Sequence, residues 1–377
     1  MKKLICLTLC LLFLCGCSTA EAPETQGATT PSITNPPTEA TQAPTEPPTV
    51  PPTEVPTDPI VTPGLQLRHP LNGAPIDQPV MNRPFAVVIN NIYDAQPLHG
   101  ISQADIFYEI VAEGGGTITR CLAIYTDPGS VPKIGSVRSA RTYFLTLTRA
   151  YDAILVHAGG SDYAYDELRQ GDYAHMDGRL EYGHNDTFYR DQQRLDAGYA
   201  LEHTLFTSGE SILELAVKKG LAITYDYPLD VKLQFEEEVQ LSGSSAKTIT
   251  LHFLSERGKG TILTYDETLG QYGMTQEFYG EYLLPLQDAN NEEPVCFSNV
   301  LILHAKTSSD GYRMFAQLTG EGTGYFACNG QAVPITWHRE SEDTPFTYRF
   351  TDGTPITLQT GRTYIGIVST NSPIVFE

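Results

Sequence analysis

Apolar positions fall into two regimes along the chain. Between residues 85 and 218, short apolar runs alternate with segments of helical spacing. Residues 85–90, 106–111, 121–125 and 153–156 read as buried strands. Ala140, Phe144, Leu147 and Tyr151 recur at helical intervals and predict a helix over 139–151. Ser208 is placed to cap a second helix over 210–218, which Gly220 stops. From about Tyr225 the period shortens to two, with 248–253, 300–304, 313–318, 333–337 and 364–368 separated by Gly, Asn and Asp at hairpin intervals. The pattern predicts an α+β or α/β N-terminal domain over 64–224, followed by a smaller, mostly antiparallel β domain over 225–377. Gly320-Glu-Gly-Thr-Gly324 superficially resembles a phosphate loop, but no helix or lysine follows it, and a hairpin joining two strands is expected there.

The N-terminus carries a different message. Lys2 and Lys3 precede an apolar run from Leu4 to Gly16, the layout of a secretory signal over 1–16 and too short for a permanent membrane span. Leu14-Cys15-Gly16-Cys17 resembles the lipobox before a lipidated cysteine, with cleavage after Ala20 as the alternative of ordinary secretion. Lipidation at Cys17 places the chain on the outer face of the cytoplasmic membrane of a Gram-positive-type envelope. Residues 17–63 are dominated by Thr, Pro, Glu and Ala and bury too little apolar surface to fold, so a lipid-anchored disordered stalk is expected. Proline stiffening gives such a stalk a reach on the order of 100 Å.

Charge and cysteine usage narrow the function. The 24 basic against 45 acidic side chains give a net charge of −21; loss of Lys2 and Lys3 with the leader takes it to −23. Such a chain repels phosphate backbones and anionic membranes, so nucleic acid is not an expected partner and lipid supplies the tether. Of seven cysteines, only Cys121, Cys296 and Cys328 reach the folded body, an odd set that is no disulfide framework. No Cys/His spacing, HExxH or GxSxG motif is present, and neither a metal nor a cofactor is expected.

Candidate chemistry concentrates between residues 109 and 208. Glu109 and Glu113 lie four apart, with Arg120 on the next strand. Arg138 and Arg141 fall on the first turn of the expected helix, where two guanidinium forks and free amides suit a carboxylate, sulfate or phosphate. Internal pairing of both arginines with Glu109 and Glu113 is the competing reading. His157 ends a strand and meets Gly159, Gly160 and Ser161, as a binding crevice or as an ordinary hydrogen-bonded histidine. Arg190, Asp191, Arg194 and His203 complete the set. Glu109, Glu113, His157, Asp191 and His203 are the candidate catalytic groups, and Arg138, Arg141, Ser161, Arg190 and Arg194 the candidate ligand contacts.

These stretches carry a resemblance. Residues 83–91, 102–114, 133–141, 157–161, 188–194 and 203–208 resemble the N-terminal domain of the YerB-type lipoproteins, and Gly324-Tyr-Phe, Ile335-Thr-Trp337 and 358–368 resemble that family's C-terminal domain. The resemblance implies the domain order and a lipid anchor without naming a reaction. The expected function is a surface-anchored binding or accessory protein that holds an anionic or glycan-like ligand in an N-terminal polar crevice, with cell-wall glycan or an envelope protein as partner. The alternative is an envelope hydrolase or transferase using the Glu, Asp and His residues of the same crevice.

Overall fold

Strand Ile106–Glu113 is buried at all eight positions, which requires cover on both faces, and the rest of the fold supplies it. The computed structural model describes residues 66–254 and 258–377; the signal, Cys17 and stalk expected over 1–63 lie outside them. The main sheet is mixed. Its path runs Ser244–Ser245, Gln331–Arg339, Gly320–Cys328, Asn299–Ser309, Thr363–Ser369, Ile106–Glu113, Ile118–Tyr125, Phe85–Asn91, Ile154–His157 and His175–Asp177. Thr363–Ser369 pairs parallel with Ile106–Glu113 on one side and with Asn299–Ser309 on the other. The sheet is therefore continuous across the boundary expected near residue 225.

A second sheet, in the order Tyr282–Pro285, Gln271–Phe278, Gly260–Asp266, Thr248–His252 and Ile374–Phe376, packs on one face of the first. Strand alternation sorts the contacts. Phe107 stacks on Phe297 with centroids 6.0 Å apart, while Tyr108 points the other way and its hydroxyl lies 2.6 Å from that of Tyr151, beyond the helix Thr142–Arg149. Gly366 permits the close approach of the sheets, since a Cβ there would lie 2.9 Å from Leu251.

Two local expectations change. The helix begins at Thr142, because residues 137–140 are held extended: Arg138 N donates to Val88 O at 2.9 Å and Ala140 N to Gly159 O at 2.9 Å. Arg138 and Arg141 consequently precede the helix instead of occupying its first turn. Gly320–Gly324 is part of the Gly320–Cys328 strand, not a turn; a Cβ on Gly324 would meet Ile302 O at 2.2 Å, so glycine serves close strand packing.

Candidate functional site

Glu109 lies in the interior. Its Oε1 accepts from Asn91 Nδ2 at 2.8 Å and Thr119 Oγ1 at 2.7 Å, and its Oε2 from Thr261 Oγ1 at 2.7 Å and Tyr364 OH at 3.0 Å. Lys259 Nζ stands 3.4 Å from Oε1, donates to Gly260 O and to Gln276 Oε1, and sits over the Phe278 ring. Glu109 and Lys259 are both essentially inaccessible. Burial lowers the Lys259 pKa against the opposing pull of Glu109, and raises the Cys121 thiol well above its usual range with help from the same carboxylate. Asn91, Glu109, Thr119 and Tyr364 belong to the main sheet, while Thr261 and Gln276 belong to the second. The network is a polar staple between sheets and reaches no cleft, which removes Glu109 as an acid or base.

Glu113 parts from Glu109 through a register shift. Strict alternation over four residues would keep both on one face, but the pairing slips between Val111 and Glu113. The bulge lets Glu113 meet Arg120, whose Nη2 donates to both carboxylate oxygens at 2.9 and 3.0 Å, and Arg141, which pairs with Oε1. Arg120 also donates to Ser139 O at 3.0 Å and Arg141 to Ala140 O at 2.8 Å. Internal pairing therefore holds for Arg141 with Glu113, though not with Glu109. Arg138 differs: it is half-buried, and it donates to Glu202 O at 3.3 Å while its Nε has no partner among the described residues. Burial and the neighbouring Arg120 charge lower its pKa to about 10.

His157 stands apart from the arginines. Its Nδ1 lies 2.8 Å from Gly159 O and its Nε2 3.1 Å from His175 Nδ1, with no exposed surface. Asp177 accepts from Gly159 N, Tyr165 OH and Arg179 N at 2.7, 2.6 and 2.9 Å, fixing this turn. Burial lowers both histidines, His175 to about 4 with a further push from His157, so neither carries charge near neutrality. Ser161 caps the helix Asp162–Gln170 through Ala164 N at 3.1 Å, which commits its hydroxyl. Among the described residues no three metal-ligating side chains converge.

Of the remaining candidates, His203 lines a cavity of about 670 Å³ between the turn Tyr93–Ala95, residues 197–203 and residues 284–287, and Asp191 and Arg194 line a smaller one beside it. Arg194 braces the larger cavity from behind: the buried guanidinium donates to Ala95 O at 2.9 Å, His203 O at 3.0 Å and Pro97 O, and is flanked by the Tyr199 and Phe206 rings. These bonds to backbone carbonyls hold residues 95–97 and 203 in place, and the Arg194 side chain itself faces the smaller adjoining cavity. His203 lines the cavity, and Asn90 Nδ2 donates to its Nδ1 at 3.0 Å, leaving the proton on Nε2. Burial and the Arg138 charge lower its pKa, so it is neutral at pH 7. Asp191 opens the helix Gln192–Asp196 and pairs with Lys133 beside a smaller adjoining cavity; burial opposes its ionisation, but the Lys133 and Arg194 interactions outweigh it and lower its pKa. Arg190 holds Leu201 O and lies over the Tyr182 ring.

The cavity's mouth went unnoticed in the sequence. Tyr93 lines it, packing on Phe278 and Tyr282 with centroids 5.7 and 5.3 Å away, and Tyr279 lies beside Tyr282. Tyr93, Tyr279 and Tyr282 are 42%, 52% and 51% exposed, far more than three clustered aromatics need to be. Next to them the Gln96 amide is buried, with neither oxygen nor nitrogen partnered among the described residues. Only Tyr282 lies on a strand, at the start of Tyr282–Pro285; Tyr93 opens a short turn and Tyr279 sits in the turn before that strand, so no periodic pattern marked the three together.

Comparison with known proteins adds a lineage. Residues 71–222 match the model described as the N-terminal domain of a protein of unknown function (DUF3048), and residues 249–365 match its C-terminal domain. The chain is 30% identical over 312 residues to the Bacillus subtilis (strain 168) protein named "Putative lipoprotein YerB", covering 80% of this chain and 86% of that one. The crystal structure of the YerB protein from Bacillus subtilis superimposes with a TM-score of 0.69 at 28% identity, over 82% of this chain and all of the other.

Proposed function

This chain belongs to the DUF3048 family of proteins of unknown function, and on that footing we propose that it is a surface-anchored binding lipoprotein that holds a glycan-like envelope ligand in the tyrosine-rimmed cavity. The observation that carries the reading is the rim itself. Tyr93 lines the cavity and Tyr282 and Tyr279 extend its exposed aromatic surface outward, while the wall holds an amide, Gln96, unpartnered among the described residues, and a neutral histidine, His203. Aromatic faces take the apolar side of a sugar ring, and a few convergent polar groups fix its hydroxyls. Asp94 is the one carboxylate lining the cavity among the described residues, so the paired-carboxylate chemistry of glycoside hydrolysis has no second member there. That favours binding over the hydrolase alternative.

Titration of the full chain with N-acetylated glycan oligomers tests it. Tyr93→Ala and Tyr282→Ala are each expected to weaken binding about tenfold while the unfolding midpoint changes little, because exposed rim aromatics act as binding hot spots. Undiminished affinity in both variants rejects the cavity as the site.

The anchor follows from Cys17 and from the lipoprotein name of the relative. Two or more acyl chains give stable membrane attachment, whereas one alone binds marginally. Cys17→Ser is expected to shift the protein from the detergent-soluble membrane fraction to unprocessed precursor or medium. Persistence of the variant in that fraction at wild-type processing rejects lipidation as the tether.

A further inference from the structure

Away from the tyrosine cavity, the structure points to a second site, and we propose that Arg138, Arg141 and Tyr143 bind a phosphate-type oxyanion beside the Glu113–Arg120 pair. Two guanidiniums, those of Arg120 and Arg141, pair with one buried carboxylate, Glu113, and the Arg138 guanidinium, bonded to Glu202 O, lies within electrostatic range of Arg120. The exposed Glu202 is the second acid in range of Arg120 and Arg138, so three cations face two anions and one positive charge is left over. Arg190 adds to that surplus from beyond Arg138. Arg313 at the margin acts on Arg141 and is itself held by Asp310 at 3.3 Å and Asp162 at 3.6 Å, so this group carries one acid in excess, which offsets the charge of Arg190 and leaves the surplus at one.

Unused donors carry the inference. Among the described residues, Arg141 is 7% exposed and its Nε has no acceptor; Tyr143 is 1% exposed and its hydroxyl has none; Arg138 Nε has none. Buried polar groups are nearly always paired, so orphan donors on either side of the Arg120 charge call for an acceptor that the described residues do not provide. Tyr143 is tied to the same centre, because Arg120 and Arg141 act on its phenol from close range even though burial raises its pKa to about 12. The helix Thr142–Arg149 starts here with no side chain capping its first amides, which adds N–H groups and the positive end of the helix dipole. Donors approaching from two arginines, a phenol and a helix start match a tetrahedral oxyanion better than a flat carboxylate, which one arginine fork satisfies. Half-buried Arg138, Ser139 and Thr142 leave the centre open to solvent beside the exposed Tyr312.

Full-length protein, titrated with inorganic phosphate and separately with a glycerol phosphate oligomer at constant ionic strength, distinguishes the sources of that chemistry. Either probe is expected to raise the unfolding temperature and bind in calorimetry; tighter binding of the oligomer identifies a phosphodiester polymer, and tighter binding of phosphate identifies a free anion. Arg138→Gln is expected to weaken the preferred probe about tenfold or more, and Tyr143→Phe several-fold, as lost hydrogen bonds to a charged group do. Tyr143→Phe alone separates site from scaffold: deleting an unpaired buried hydroxyl leaves stability unchanged or improved, so only the site reading makes it costly to binding. Tyr93→Ala should bind phosphate normally, so failure here and failure of the glycan cavity read out independently. Absence of binding by either probe up to tens of millimolar overturns the proposal, because a built oxyanion site should saturate by then. Equal affinity in wild type, Arg138→Gln and Tyr143→Phe overturns it too.

Discussion

Lys259→Met should destabilise the protein by about 3–5 kcal/mol, since removing one member of a buried ion pair strands the charge of the other. Met retains most of the aliphatic stem that lies near Phe278, so the loss is electrostatic and not a packing cavity. Glu109 would keep its five neutral donors, Asn91, Thr119, Thr261, Gln276 and Tyr364, but no cation. Those hydrogen bonds hold the carboxylate in place without supplying a countercharge. Urea unfolding followed by circular dichroism measures the effect. Glu109→Gln combined with Lys259→Met should recover a large part of it, because the double variant buries no charge. A single variant within about 1 kcal/mol of wild type, the range of an exposed ion pair, means that water reaches the pair and that the staple between the sheets is weaker than its burial indicates.

Lys259 also shows what the sequence could not reveal. Strands 85–91, 106–113, 118–125 and 154–157 were legible because continuous apolar runs record burial on two faces. The β-rich second half was legible from period two. The partner of Glu109, by contrast, is a lysine 150 residues away, standing between two glycines with no local pattern to mark it. Polar spacing misled for a related reason: Glu109 and Glu113 looked like one cluster, and a single bulge sent them to opposite faces. Asp191 and His157 seemed to adjoin Arg138 because all end or follow strands, yet each is held by its own neighbours, Lys133 and His175. The helix-start expectation for Arg138 and Arg141 failed because backbone pairing with Val88 and Gly159 competes with helix formation through Ala140. Arg141 still finds a carboxylate, through tertiary pairing with Glu113, while Arg138 turns to Glu202 O.

Glu113→Ala is expected to cost about 3–5 kcal/mol, through two stranded guanidiniums instead of one stranded carboxylate. Arg120 would keep only Ser139 O, and Arg141 only Ala140 O, as acceptors. Glu113→Gln should cost less, since an amide oxygen still accepts one hydrogen bond, but it cannot serve both arginines or neutralise either. The sign of the response to phosphate separates two accounts of this centre. If the cluster is scaffold alone, phosphate shifts the unfolding midpoint of Glu113→Ala no more than that of wild type. If an oxyanion binds at the orphan donors, removing the carboxylate raises the positive surplus and relieves its repulsion of the anion, so phosphate stabilises the variant more than wild type. Thermal unfolding at matched ionic strength, with chloride replacing phosphate in the control, reads that difference directly. A Glu113→Ala protein that unfolds at the wild-type midpoint in chloride would show that the guanidiniums are solvated, and that the Glu113 pairs contribute no more than surface ion pairs do.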